Sequence, residues 1–265
     1  MDTRFLKRLS MAYALFLLLI VASAGYAESR LTASEPFSLP ISTVILDPGH
    51  GGYDPGAVSS WSFAPDGVIQ EKWVNLEIAT LVRDILQDSD PSVKIVMTRT
   101  ADTFLSLEQR ALIGQQTDPG QGHTAILVSI HVNSSTSLEP SGFELLVKST
   151  KKQVRFLNDS SPDWHIARYA LFTNTELNRL LNRENLLFSQ LVEAALISAF
   201  PLVGSRGVKE QDVWVLNACN IPAVLVETAF ISHEEDARQM LSATWRQQMA
   251  QAIANGVVSF IHTTR

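Results

Sequence analysis

The sequence predicts an α/β fold: a single domain on an open, twisted, mostly parallel sheet of about six strands flanked by helices. Three observations predict it. From residue 42 onward, short apolar runs alternate with longer segments of helical spacing. The run Ala125–Ile130 (AILVSI) is apolar throughout, as a buried strand is. The chain has 265 residues, of which 46% are hydrophobic, enough for a sizeable buried core and too apolar for disorder.

The elements follow in order. Thr43–Leu46 is a short strand that runs into the turn-rich stretch DPGHGG. Lys72–Gln87 is a helix, with apolar residues at Val74, Ile78, Leu81, Val82 and Ile85. Val93–Met97 alternates and is β-branched, hence a strand. Leu105–Gln116 is a helix with Asp102 or Thr103 available as its N-cap. Strands are expected at Ala125–Ile130, Gly142–Val147, Val213–Leu216 and Ala223–Val226. Helices are expected at Glu176–Ala199, Glu234–Leu241 and Thr244–Ile261. Residues 148–182 are the least regular stretch. They are long for a loop in a compact domain, so they are expected to carry function or a helix of their own.

The first 27 residues stand apart. Arg4, Lys7 and Arg8 make a basic start, Met11–Ala22 is continuously apolar, and Gly25-Tyr26-Ala27 is a small-x-small site. Together they read as a secretory signal peptide cut after Ala27. The apolar run is shorter than the roughly 20 residues of a membrane-spanning helix. An uncleaved N-terminal anchor is the alternative. Residues 28–41 read as a linker and 42–265 as the folded domain, with 148–182 as a segment inserted in it. Cleavage would leave 18 basic residues against 26 acidic ones, taking the net charge from −6 to −8. The expected location is periplasmic or secreted, with no stable membrane span after cleavage. The acidic balance speaks against a nucleic-acid partner. A single cysteine, Cys219, excludes an internal disulfide framework and a Cys-rich zinc module, so any metal must be held by His, Asp or Glu.

Three polar residues sit just past apolar strands: His50, His131 and Glu227. In an open parallel sheet such positions converge at the carboxyl edge, where ligands bind. Glu71, at the start of the first long helix, can face the same edge. Two histidines and a carboxylate with one open position are a zinc set. A further carboxylate could take a proton from water and deliver it to a leaving nitrogen. Each residue also has a plain structural reading. His50 fits a turn, and Glu71 fits the first turn of a helix. Glu227 lies behind Pro222–Val226, and a carboxylate there needs a partner or a site.

The blocks VILDPGHGGYDPGAV, EKWVNL, TRTADTFLSLEQRALIGQQ, ILVSIHVNSS, SGFELLV and RGVKEQDVWVLNACNIPAVLVETAFISHEEDARQML carry a family resemblance. In this order, across residues 43–262, they resemble the zinc-dependent N-acetylmuramoyl-L-alanine amidases of the amidase 3 family. The resemblance implies a peptidoglycan hydrolase that cuts the amide between N-acetylmuramic acid and L-alanine. It implies Zn2+ as cofactor, His50, Glu71 and His131 as metal ligands, and Glu227 as the catalytic residue. Asn133 and Arg110 also match motif positions. Asn133 is read as a substrate-binding or supporting residue, or as a turn residue. Arg110 is read as a structural salt bridge rather than a substrate contact.

The chain departs from the family at Ala229, where Gly is usual, and at His233, where Asn is usual. His233 is expected at a surface turn. In some members a helix inserted near residues 148–182 blocks the zinc site until a partner displaces it. By that resemblance His165, Glu176 and Glu184 are candidates to reach the metal, and an activator protein becomes a candidate partner. A surface helical hairpin shaping the groove is the alternative. Two other functions stay open on the sequence: a zinc metallopeptidase acting within the stem peptide, and a non-catalytic peptidoglycan-binding regulator.

Overall fold

Six strands form the central sheet in a computed structural model that describes residues 11–23, 35–159 and 161–263. They are β1 (Ile41–Pro48), β4 (Lys94–Met97), β5 (Thr124–Asn133), β6 (Phe143–Lys148), β7 (Ser205–Gln211) and β8 (Ala223–Phe230). Across the sheet their order is β4-β1-β5-β8-β6-β7. The first four in that order run parallel, and β6 is antiparallel to β8 and parallel to β7. A separate hairpin, β2 (Val58–Ser60) with β3 (Val68–Gln70), projects from the loop after β1. Its sequence carries too few apolar residues to announce a strand pair.

Residues 11–23 form helix α1, with exposed apolar side chains. The basic start, the cleavage site at Ala27 and residues 28–34 lie outside the described residues. Among the described residues, no helix is long and apolar enough to cross a membrane.

Helices cover both faces of the sheet. On one face α2 (Glu71–Ser89), α5 (Asn174–Ala199) and α8 (Ala243–Thr263) bury Ile78, Val192 and Ile253 against Leu46, Val128 and Val226. On the other, α6 (Trp214–Asn217) packs Val215 and Leu216 on Ile45, Leu127 and Leu225, with Ile113 of α3 (Leu107–Gln116) beside them. Because both faces are covered, β5 is apolar along most of its length rather than alternating. Glu234–Met240 forms α7. Gly256 lets α8 approach α5 closely, since a Cβ there would lie 2.5 Å from Val192 Cα.

The structure corrects several expectations. Val213–Leu216 is not a strand: Val213 caps the short helix α6. The strand in this region is β7, whose sequence SRGVKEQ is polar because it lies at the sheet edge with much of its surface in water. Helix α3 is capped by Ser106 in a capping box with Gln109, not by Asp102 or Thr103. Asp102 instead accepts hydrogen bonds from Gly52 N and Lys72 Nζ. The linker is not free where it is described. Phe37 is buried against Phe156 and Tyr169, and Glu35 pairs with Arg183.

Residues 148–182 do not reach the carboxyl edge of the sheet. They hold α4 (Asp163–Tyr169) and the first turns of α5, built on a small core of Phe37, Val154, Phe156, Tyr169, Leu177 and Leu181. Arg168 of α4 bonds His123 O, and Tyr169 Oη donates to Asn220 O, at the amino ends of β5 and β8. His165 is buried there between Trp164 and Tyr169. Glu176 closes a capping box with Thr173, and Glu184 bonds Arg183. The seven residues of strand from Thr124 to His131 span about 23 Å at ~3.3 Å each. The expected reach of His165, Glu176 and Glu184 to the metal is therefore corrected: they sit at the opposite end of the sheet.

Candidate metal centre

His50, Glu71 and His131 come together at the carboxyl edge, each offering a donor atom within 4.8 Å of the others. Three elements deliver them. His50 follows β1 in a backbone conformation with φ of 60°, and Gly51 and Gly52 after it are also at positive φ. A non-glycine residue held there is strained, and such strain gathers at functional sites. Glu71 opens α2, and its carboxylate reaches β5 at Val132 N. His131 lies within β5, two residues before its end, rather than beyond it as expected from the sequence.

Glycines make room for this approach. A Cβ on Gly49 would fall 2.1 Å from His131 Cε1, and one on Gly56 would fall 2.6 Å from Glu71 Oε2. Both are contacts that real side chains do not make, so the glycines form a cradle that a methyl group would fill.

Glu71 is the hub. Its Oε1 lies 2.9 Å from His131 Nδ1 and 3.2 Å from His50 Nε2, and it accepts from Val132 N and Asn75 Nδ2. Its Oε2 accepts from Ala57 N. Burial pushes the Glu71 carboxyl up, but the hydrogen bonds and charges of His131 and His50 outweigh it and hold it well below the usual carboxylate range. Burial likewise opposes a charge on His50. Glu71 and Asp54 overcome it and raise His50 to about 9. His131 is raised against its own burial, mainly by Glu71. Three carboxylates, Glu71, Asp54 and Glu227, thus make a field that retains positive charge. The same field, with two imidazole nitrogens and a carboxylate oxygen as donors, fits a borderline divalent cation.

Glu227 stands beside this set. It lies within β8 and pairs in register with His131 on one side and Glu144 on the other. Residues directly opposite across a ladder share a face, so the three side chains line one surface. Glu227 Oε2 is buried and has no hydrogen-bond partner among the described residues. Burial raises its carboxyl to about 7, eased by the charge of His131 and reinforced by Glu71 and Glu144. A carboxyl poised near neutrality can both take and give a proton.

The remaining candidates have other tasks. Asn133 Nδ2 donates to Glu144 Oε1 at 2.8 Å, and its Oδ1 accepts from Ser134 N. Arg110 makes a buried ion pair with Asp47 at 2.6 Å and donates to Pro48 O and His50 O, holding the loop that carries His50. His233 is the N-cap of α7. Ala229 is buried in the main core. Cys219 is buried and its thiol is pushed up to about 12 by that burial, which leaves it unreactive.

Two residues of the site escaped sequence reasoning. Asp54 accepts from His50 Nδ1 at 2.8 Å. The signal was an acid four residues after the histidine in one turn. Glu144 was visible as a charge in the otherwise apolar strand GFELLV, a buried carboxylate that demands partners.

The chain resembles known proteins over nearly all of this architecture. Residues 44–259 match the model of the N-acetylmuramoyl-L-alanine amidase family. AmiC of Escherichia coli, an N-acetylmuramoyl-L-alanine amidase, is 31% identical over 230 residues, which cover 82% of this chain and 52% of AmiC. AmiA of Salmonella typhimurium is 30% identical over 236 residues, covering 83% of this chain and 76% of AmiA. The chain thus spans about half the length of the first relative and three quarters of the second. Among solved structures, the amidase of Clostridium difficile 630 superposes with a TM-score of 0.63 at 25% identity, over 84% of this chain and 98% of that one. With this match extending from β1 to the last helix and enclosing all four site residues, the chain belongs to the N-acetylmuramoyl-L-alanine amidase family.

Proposed function

We infer that this protein is a zinc-dependent hydrolase that cuts the amide between the lactyl group of N-acetylmuramic acid and the L-alanine of the peptidoglycan stem. One observation carries the reading most: in a chain of this family, the buried carboxylate of Glu227, whose Oε2 has no hydrogen-bond partner among the described residues, stands beside the His50–Glu71–His131 set.

In this reading His50, Glu71 and His131 hold the zinc. Zinc bound there acts as a Lewis acid on the scissile carbonyl and lowers the pKa of water toward neutrality. The chain's own residues do the rest. Asp54 accepts from Nδ1 of His50 and leaves Nε2 turned toward Glu71 and the metal set. Glu71 is fixed by Val132 N, Ala57 N and Asn75 before any ion arrives. Glu227, ionised, takes the proton of the attacking water at its unpartnered Oε2. It then gives that proton to the nitrogen of L-alanine as the amide bond breaks.

Export is part of the same proposal. It rests on the basic start, the apolar run and the small-residue site of the first 27 residues. The substrate is extracytoplasmic, which accords with a periplasmic or secreted location.

The test is digestion of purified peptidoglycan, with and without chelator, followed by mass analysis. Free N-terminal L-alanine and unsubstituted muramic lactyl groups, lost on chelation and restored by zinc, are expected. New termini within the stem would make the protein a peptidase instead.

A further inference from the structure

Two cations on the edge strand point at the catalytic carboxylate's neighbour. Arg206 Nε lies 3.1 Å from Glu144 Oε2, and Lys209 Nζ bonds the same oxygen. Glu144 Oε1 is taken by Asn133. Glu144 itself faces Glu227 across the β6–β8 ladder. Two positive charges therefore share one carboxylate on this rim of the site, in a chain whose net charge is −6. Both side chains remain accessible, Arg206 at 38% and Lys209 at 42%. The Arg206 guanidinium also lies over the ring of Phe230 at 5.0 Å, which fixes its plane and leaves donors turned to solvent.

The direction of the reaction decides what meets them. On the reading above, Glu227 protonates the leaving nitrogen. The peptide therefore departs on Glu227's side of the metal ligands. Along the sheet edge that side leads from β8 to β6 and β7. Strand β7 lies two strand spacings from β8, but its two cations reach back across β6 to Glu144, one spacing of about 5 Å from Glu227. A residue adds about 3.8 Å of chain, so a free carboxylate on the residue after the leaving alanine falls within reach.

We propose that Arg206 and Lys209 bind the first free carboxylate of the stem peptide and so select acidic over amidated stems. The proposal rests on the amidase reading, and it names the side of the site that holds the leaving peptide. A purely structural role, neutralising Glu144, would leave substrate choice untouched.

The experiment uses two muramoyl tripeptides, identical except that the second residue carries a free α-carboxylate in one and a carboxamide in the other. The readout is the ratio of kcat/KM for the pair. The intact protein is expected to prefer the carboxylate tenfold or more. Arg206→Gln and Lys209→Gln should each shrink that ratio severalfold, and the double variant should bring it near one. Lys209 lies on an exposed edge, so its variant keeps the test alive if Arg206→Gln fails to fold. In Glu227→Gln, calorimetric binding of the same pair should show the same preference without turnover. A ratio near one in the intact protein would overturn the proposal, as would variants that slow both substrates equally. If the intact protein releases L-alanine from neither tripeptide nor from whole peptidoglycan, the amidase reading fails and this proposal falls with it. Release from whole peptidoglycan and tight binding of both tripeptides, with equal affinity, would sink the selectivity alone.

Discussion

Asp54 Oδ2 stands 2.8 Å from His50 Nδ1, while the other nitrogen of the same ring, Nε2, stands 3.2 Å from Glu71 Oε1. One carboxylate orients the ring, and the ring presents its second nitrogen to the metal set. Fixing tautomer and orientation in this way raises the basicity of a ligand.

Asp54→Ala should therefore weaken metal affinity about 10–100-fold while the domain stays folded. Asp54→Asn, which still accepts a hydrogen bond, should recover part of it. A competition titration against a chelator of known affinity measures both. Asp54 Oδ1 also accepts from Gly56 N. Unchanged affinity in the alanine variant would reduce Asp54 to that turn role.

Glu227→Gln should separate metal from catalysis. The amide keeps the size of the side chain and removes the base, so turnover should fall by about 10²–10⁴. Zinc content, measured by atomic emission on the purified variant, should equal that of the parent. Loss of metal together with activity would move Glu227 into the ligand set.

Two glycines give opposite expectations. At Gly256 an added Cβ would meet the backbone of Val192 at 2.5 Å, so Gly256→Ala must push α8 off α5 and should cost about 1–3 kcal/mol. At Gly114, inside α3, the nearest atom to a new Cβ is Leu127 Cδ1 at 3.7 Å, an ordinary contact. Gly114→Ala should stabilise by about 0.5–1 kcal/mol, because alanine loses less backbone freedom in a helix. Denaturant midpoints compare the two, and the same sign for both would contradict the packing described.

His165 should make the fold sensitive to mild acid. Its imidazole is lowered to about 4 by burial and by the nearby charge of Arg168, and its Nε2 is buried with no hydrogen-bond partner among the described residues. The unfolded chain, titrating near 6.5, takes up a proton that the native state refuses. Stability is full above pH 6.5, falls as pH drops below it, and levels off below 4. At pH 5 the loss should be on the order of 1–2 kcal/mol. Unfolding of His165→Gln at pH 7 and pH 5 should show a smaller difference between the two pH values than the parent. An identical difference would place the acid sensitivity elsewhere.

Sequence alone determined most of the succession of strands and helices, because periodicity and turn chemistry are local. It also pointed to His50, His131 and Glu227, because a polar side chain directly behind an apolar strand is costly to bury unless a site uses it, and to Glu71 as a helix-start carboxylate able to face the same edge. It could not recognise β7, whose polar residues suit an edge with water on one side. Nor could it keep the apolar stretch Val213–Leu216 from reading as a strand, since four residues carry no period. The larger decisions belonged to tertiary structure. Phe37, Phe156 and Tyr169 draw residues 148–182 to the amino edge of the sheet, far from the metal ligands. The register of β6 on β8 sets Glu144 against Glu227, and through it brings Arg206 and Lys209 to the rim. Such neighbours are decided by long-range packing, where residues more than 60 positions apart meet only because the strands between them are already aligned.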